Sequence, residues 1–513
     1  HTNLWNWWQA YFVNDDWKFR PNLTINLGLR YDAFQRPRQS DDKYANIEVN
    51  GLIPTDTTFP NTSRYGRSLI APDRNNFGPQ VGLALGVGKT HKTALRTGYG
   101  AYYDAILGAL ISQSRSLFPQ QIPVGIERPR AGYLTFPANC QVVFCAPFGF
   151  NQPIKTNQLK GGASSFVSNI ATLANDIKAG LSFSLPAKNL PTPYAQQWHL
   201  TLEREIAPQM VVTVGYVGTR GNKLTRIITP NLGPTNSPLV QAATAAYFDR
   251  TVPASAPALL LDTASLLLPT RPTPAIGSYQ IFENAAKSNY HALQIEATKR
   301  FGQQLNFTAA YTWSHAIDEV SDIFPISGAP VVAQNQTQLQ HERGNANFDL
   351  RHRGTTSVTW EIPKLQGWQL AAIAQAQTGQ PFTVSLPIDA NLDGNLSDRP
   401  ATLQGLQIVN EQRVRVQLAS GATLNDFLVQ GKDGGIGRNT FRGADFANVD
   451  LALAKTFRFA EQRRLSIKAE VFNLFNRANF GLPVRTLDAP GFGAAVATVN
   501  PARMLQLALK LSF

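Results

Sequence analysis

Short and long connections alternate without a break along this chain, and no other feature restricts its fold as severely. The segments they join have period-two hydropathy. "WQAYFVNDDWKF" is separated from "LTINLGLRYD" only by Arg20, Pro21 and Asn22, and an irregular stretch then runs to about Asn76. In the second segment Leu23, Ile25, Leu27, Leu29 and Tyr31 share one face while Thr24, Asn26, Gly28, Arg30 and Asp32 share the other, as a half-apolar strand requires. "QQWHLTLEREI" turns at 207–209 into "MVVTVGYVG", and "YHALQIEATKRF" turns at 302–304 into "LNFTAAYTW". "RGTTSVTWEIP" with "GWQLAAIAQAQTG", and "NVDLALAKTFRF" with "RLSIKAEVFNLF", repeat the order, and long loops separate each hairpin from the next.

A soluble sandwich has no reason to sort its loops by length. A barrel in an outer membrane does, because its periplasmic turns are short and its extracellular loops long. The chain holds about thirteen such segments, each near the ~9–11 residues that a tilted strand needs to cross a bilayer. The last, "MLQLALKLSF", places Leu505, Leu507, Leu509, Leu511 and Phe513 on one face and Gln506, Ala508, Lys510 and Ser512 on the other. If it descends to the periplasm, every short turn is periplasmic and every long loop extracellular. The expected fold class is therefore all-β, with residues 1–513 forming an antiparallel meander that is the C-terminal portion of a transmembrane β-barrel. Single-chain bacterial barrels have even strand numbers, so an odd count in a chain that starts without a signal peptide predicts further strands before His1.

Composition is consistent with this. The chain is 10% aromatic and only 16% charged, against ~25% charged residues in an ordinary soluble domain. Its mean hydropathy is -0.18, and no apolar run approaches the ~18 residues of a membrane helix. The formal charge of +13 is spread through strands and turns without a basic run or a nucleic-acid motif, so nucleic acid is not an expected partner. A basic surface, a basic lumen, or loops facing the anionic sugar-phosphates of an outer membrane all fit.

Most motifs dissolve on inspection. "GVGKT" resembles the end of a phosphate-binding loop, but the position five before Gly88 is Leu83, and an alternating strand follows where a helix should begin. The stretch is a polar hairpin turn. "DANLDGNLSD" sets Asp389, Asn391, Asp393 and Asn395 at alternate positions with Gly394 at the sixth, the order of a calcium loop. Pro400 occupies the twelfth position, where a bidentate Glu belongs, so calcium bound with help from other loops and a plain Asx-rich turn both stay open. Cys140 and Cys145 lie close together in a Pro-rich loop, and a local disulfide is expected in an oxidising compartment, inert thiols being the alternative. His341 and His352 lack metal-ligand spacing. Val167, Ile170, Leu173 and Ile177 recur at helical spacing, as in a short helix over a barrel mouth. Trp7, Trp8, Trp17, Trp198, Trp313, Trp360 and Trp368 stand near strand ends, where interfacial girdles form. No nucleophile, base or paired-carboxylate arrangement emerges, and catalysis is not expected.

Taken in order, "YFVNDDWK", "RYD", "DRNNFGPQVGLA", "RTGYGAYYD", "YAQQWHLTLERE", "VGYVGTRGNKL", "SNYHALQ", "AYTWSHAID", "FDLRHR", "TGQPFTV", "GRNTFRGADFANVDLAL" and "AEVFNLFN" resemble the Oar-like branch of TonB-dependent outer-membrane receptors. The resemblance spans nearly every hairpin. It implies a barrel of ~22 strands with a wide, plugged lumen, and partners comprising outer-membrane lipid, a TonB complex reached through a region N-terminal to this chain, and an unidentified bulky substrate. Leu509, Leu511 and Phe513 also resemble the terminal signal that barrel-assembly machinery reads on its clients. The expected function is energised import at the cell outer membrane, with long loops capturing substrate. The alternative is a barrel used for adhesion or protein export.

Overall fold

The computed structural model describes residues 4–39, 68–106, 184–230, 280–323 and 331–513, less 69, 89–91, 188, 303, 388, 389, 392, 394, 396, 410, 430, 431 and 460–462, together with Gly108 and Leu110. Thirteen long strands follow one another in a single antiparallel meander: β1 (Trp8–Arg20), β2 (Leu23–Phe34), β3 (Phe77–Val87), β4 (Thr93–Tyr103), β5 (Tyr194–Ala207), β6 (Met210–Ile228), β7 (Gln280–Phe301), β8 (Leu305–Asp318), β9 (His352–Glu361), β10 (Trp368–Gln377), β11 (Phe446–Arg458), β12 (Arg464–Phe472) and β13 (Met504–Ser512). Each pairs only with its sequence neighbours along this path. The sequence-predicted pairing order is therefore the observed one.

The register gathers the two faces. Across β9 to β13, Val358, Ala372, Leu451, Val471 and Leu505 stand level on one side. Across β2 to β5, Leu27, Val81, Tyr99 and Trp198 do the same. The opposite side is polar, with Asn26, Gly82, Gly98 and His199 level on β2 to β5. A wall that is apolar on one face and polar on the other suits lipid outside and a watery lumen inside. The apolar side chains are accordingly exposed within the chain itself: Leu505, Leu507, Leu509 and Leu511 each expose 61–73% of their surface.

Trp17, Trp360 and Trp368 stand on the lipid face near the lower strand ends, and Trp198 and Trp313 near the upper ends, forming two girdles. Trp8 departs from the expectation. It shares the parity of Asn14 and Asp16 on the lumenal side and packs edge-on to Phe34 at 6.2 Å.

β6 and β7 run for 19 and 22 residues, about twice the length their alternating cores predict. Their upper parts rise beyond the membrane band, where lipid no longer enforces alternation, and they are joined by Arg226 to Glu283 (2.6 Å) and Thr225 to Asn284 (2.7 Å). Register shifts between Asn284 and Ser288 bend the pair. Small hydrophobic cores sit above the barrel. Ile70, Ile106, Leu110, Leu190, Ile227 and Phe282 form one, over β6 and β7. Another belongs to the segment between β10 and β11, where Phe382, Val384, Val416, Phe427 and Phe441 pack together with Leu487 from the β12–β13 segment.

Candidate functional site: a collar at the extracellular mouth

Long loops close over the upper strand ends through buried charge. Asp318, the last residue of β8, is 2% exposed and accepts from the Arg438 guanidinium, whose Nη2 also donates to the Asp318 carbonyl (2.7 Å), Nη1 to Ser321 Oγ (3.1 Å) and Nε to the Glu342 carbonyl (2.9 Å). One arginine thus ties the top of β8, the β8–β9 loop and the β10–β11 loop. Glu342 in turn holds Arg399: Nη1 donates to both carboxylate oxygens at 2.8 and 3.0 Å, while Nε donates to the Ile436 carbonyl at 2.9 Å. Both side chains are buried, so each charge is satisfied only by the other and by hydrogen bonds.

Asp349 anchors the next sector. Its carboxylate accepts the Ala316 backbone N–H (2.7 Å), Arg351 Nε (3.0 Å) and Arg442 Nη2. Burial opposes its ionisation, but the backbone donor and the two guanidiniums outweigh that cost and hold its pKa below the usual carboxylate value. Asn439, at φ +56°, donates from Nδ2 to the Asn345 carbonyl (2.6 Å) and Asn347 Oδ1 (2.7 Å), while its own N–H reaches Thr383 Oγ1 (2.9 Å). An amide residue tolerates this left-handed backbone better than a branched one. Gly379 is obligatory for a different reason: a Cβ there would lie 2.0 Å from the Gly443 carbonyl oxygen.

Smaller fixtures repeat the pattern elsewhere on the rim. Arg36 donates to the carbonyls of Ala71 (3.0 Å) and Leu190 (2.8 Å) with Asp73 at 3.8 Å. Asn473 donates its backbone N–H to Asp450 Oδ1 (2.8 Å), and its Nδ2 donates to the Arg477 and Pro501 carbonyls, both at 3.0 Å. The motif residues "SHAID", "FDLRHR", "TGQPFTV" and "GRNTFRGADF" therefore converge on one frame. The sequence exposed each motif but not their pairing, because partners such as Asp318 and Arg438 lie 120 positions apart.

The sector around the Arg399 and Arg438 ion pairs is tightly packed. The cavity among Arg226, Glu319, Ser321, Glu342, Arg399 and Arg438 is ≈ 40 Å³, room for a few waters and no more. A bulky ligand has no place in that cavity.

Of the candidate calcium ligands, Asp389 lies outside the described residues. Asn391 Oδ1 accepts the Asp393 N–H (3.0 Å) and Asp393 Oδ1 accepts the Asn395 N–H (2.8 Å), successive Asx turns. Asn391 Nδ2 donates to Asp433 (3.0 Å) and the Gln334 carbonyl (2.9 Å), and Asn395 Nδ2 to Thr229 Oγ1 (3.1 Å), so these residues also latch three loops together. Among the described residues no group of three His, Cys, Asp or Glu side chains has metal-binding geometry. Cys140, Cys145 and the helical pattern at 167–177 lie outside the described residues. Leu509 and Leu511 are on the lipid face of β13, and Phe513 just after it is 92% exposed. His341 is in the short 3-10 turn Leu339–Glu342, and His352 starts β9.

The family model described as "Outer membrane beta barrel domain" matches residues 1–506. No curated protein sequence matches the chain. Similar solved structures include a point mutant of the ferric enterobactin receptor PfeA of Pseudomonas aeruginosa, with 12% identity, a TM-score of 0.45, and coverage of 99% of this chain and 45% of that one. The outer membrane transporter YddB of Escherichia coli has 11% identity, a TM-score of 0.44, and coverage of 99% and 45%. The copper transporter OprC has 10% identity, a TM-score of 0.41, and coverage of 98% and 47%. This chain spans less than half the length of each.

Proposed function

This chain belongs to the outer membrane beta barrel domain family, and from that premise we propose that it is the wall and mouth of a TonB-dependent receptor of the Oar-like branch, importing a bulky substrate. The observation that carries the reading is the division of labour at the extracellular end. Signature motifs are spent on a buried ion-pair frame, which leaves the loops above it free to vary with the ligand while their bases stay fixed. A rigid mouth over a polar-walled lumen is what capture followed by passage requires. The ordered motifs of the sequence supply the TonB-dependent part of the proposal.

The test uses the full-length protein in its own cells, with photo-crosslinking amino acids placed along the segment N-terminal to His1. A covalent adduct with TonB, lost when TonB is deleted, is the expected outcome. Absence of any adduct, with the protein correctly assembled, would favour the adhesion or export alternative.

A further inference from the structure

One patch of the lumenal wall is nearly bare of side chains. Asn26, Gly82, Gly98 and His199 stand level across β2 to β5, and one step higher Gly28, Gln80, Gly100 and Gln197 do the same. Four glycines on three adjacent strands thus floor a recess of ≈ 420 Å³. The lipid face of those strands keeps Leu27, Leu29, Val81, Leu83 and Tyr99. Glycine weakens a strand and often marks a place where another group approaches the backbone closely.

Polar and aromatic side chains lean over this floor. A Cβ on Gly28 would lie 2.7 Å from Asn14 Oδ1, and one on Gly82 would lie 3.2 Å from Asn26 Oδ1. On Gly98 it would meet His199 Cε1 at 2.7 Å, and on Gly100 the phenol end of Tyr102 at 2.5–2.8 Å. Two rings therefore rest directly on backbone while both side chains stay exposed, Tyr102 by 43%. Shielding of strand glycines by neighbouring rings also serves sheet stability. It gives no reason for the amides around them. Asn14, Gln80 and Gln197 line the recess with no hydrogen-bond partner among the described residues.

The charges at its edge are engaged differently. Arg96 pairs with Glu203 at 3.4 Å, and Asp16 accepts from Asn26 Nδ2. An anionic ligand would find no unpaired cation among the described lining residues.

We propose that this recess binds a sugar ring of a neutral oligosaccharide in the lumen. A side-chain amide both donates and accepts, as a sugar hydroxyl does. An exposed aromatic ring offers the apolar contact that the C–H face of a pyranose needs, and the glycine floor gives that ring depth. The inference rests on the import reading and names its substrate class.

Full-length protein purified in detergent would be titrated calorimetrically with maltohexaose, cellohexaose, xylohexaose and chitohexaose. At least one should bind wild type. Tyr102→Phe keeps the ring and should bind equally well, whereas Tyr102→Leu should weaken binding about tenfold and Gln80→Leu about fivefold. Unaltered melting temperatures would show that the variants are folded. Gln197→Cys tells an open recess from one filled by another part of the protein: a maleimide should modify the new thiol, and the bound sugar should slow the reaction. Failure of all four sugars to bind wild type, undiminished affinity in both leucine variants, or a thiol that stays inert without sugar would overturn the proposal. Binding is read without TonB, so failure here and failure to crosslink TonB are separate results.

Discussion

Asp349 shows what a single side chain contributes to this mouth. Three donors converge on a carboxylate that is 1% exposed, and replacing it with Asn leaves two guanidiniums without their counter-charge. Asp349→Asn should lower the stability of the collar by ~1–3 kcal/mol, because the two guanidiniums it leaves behind are partly exposed and can be resolvated. Hydrogen exchange at Ala316 and along the β8–β9 loop would register it. The folded pKa lies below the ordinary 3.8, so ionisation contributes stability above that value and loses it as pH falls through the folded one. The gap between wild type and Asp349→Asn should therefore be full at neutral pH and narrow below about pH 4; a gap that widens in acid would contradict the ion-pair account. The sequence offered Asp349 and Arg351 as neighbours in "FDLRHR". It gave no sign that Arg442 and the Ala316 N–H complete the site, since that depends on how the loops fold back.

At the scale of elements, strands were legible and loops were not, for one physical reason. A strand between lipid and water must alternate at every step, so β2 or β13 can be read residue by residue. The segment between β10 and β11 faces no such boundary. Its pieces Leu406–Ile408 and Val416–Leu418 are three residues each, and its core draws on Leu487 from another loop. Period-two reading also ended too early on β6 and β7, because their upper halves stand above the lipid and bury residues such as Ile227 and Phe282 against loop segments. The loop core yields its own prediction. Phe427 is fully buried beside Val416 and Phe441, and Phe427→Ala should cost ~3–5 kcal/mol in a site of this kind. That loss belongs to the loop module and not to the barrel. Limited proteolysis should begin to cut within 378–445 while the heat-resistant mobility of the barrel on denaturing gels is unchanged; simultaneous loss of both would mean that loop and barrel unfold as one unit.

For the whole molecule the decisive claim is that every strand shows one face to lipid and the other to the lumen, and β8 offers a clean comparison. Ala309 and Ala310 are consecutive, chemically identical and on opposite faces: Ala309 is level with Ala297 and Thr356, Ala310 with Glu296 and Thr355. On the lipid side Ala309 lies midway between Trp313 at the upper girdle and Leu305, which pairs with Trp360 at the lower one. It therefore sits near the bilayer midplane. An arginine on the lipid face at that depth costs ~2–4 kcal/mol, whereas a lumenal one keeps its charge in water. Ala309→Arg should accordingly shift the denaturant midpoint of the lipid-embedded barrel strongly, and Ala310→Arg should leave it almost where it was. Equal shifts, or a larger one for Ala310→Arg, would mean that the faces have been assigned the wrong way round and would remove the ground for calling the polar side a lumen.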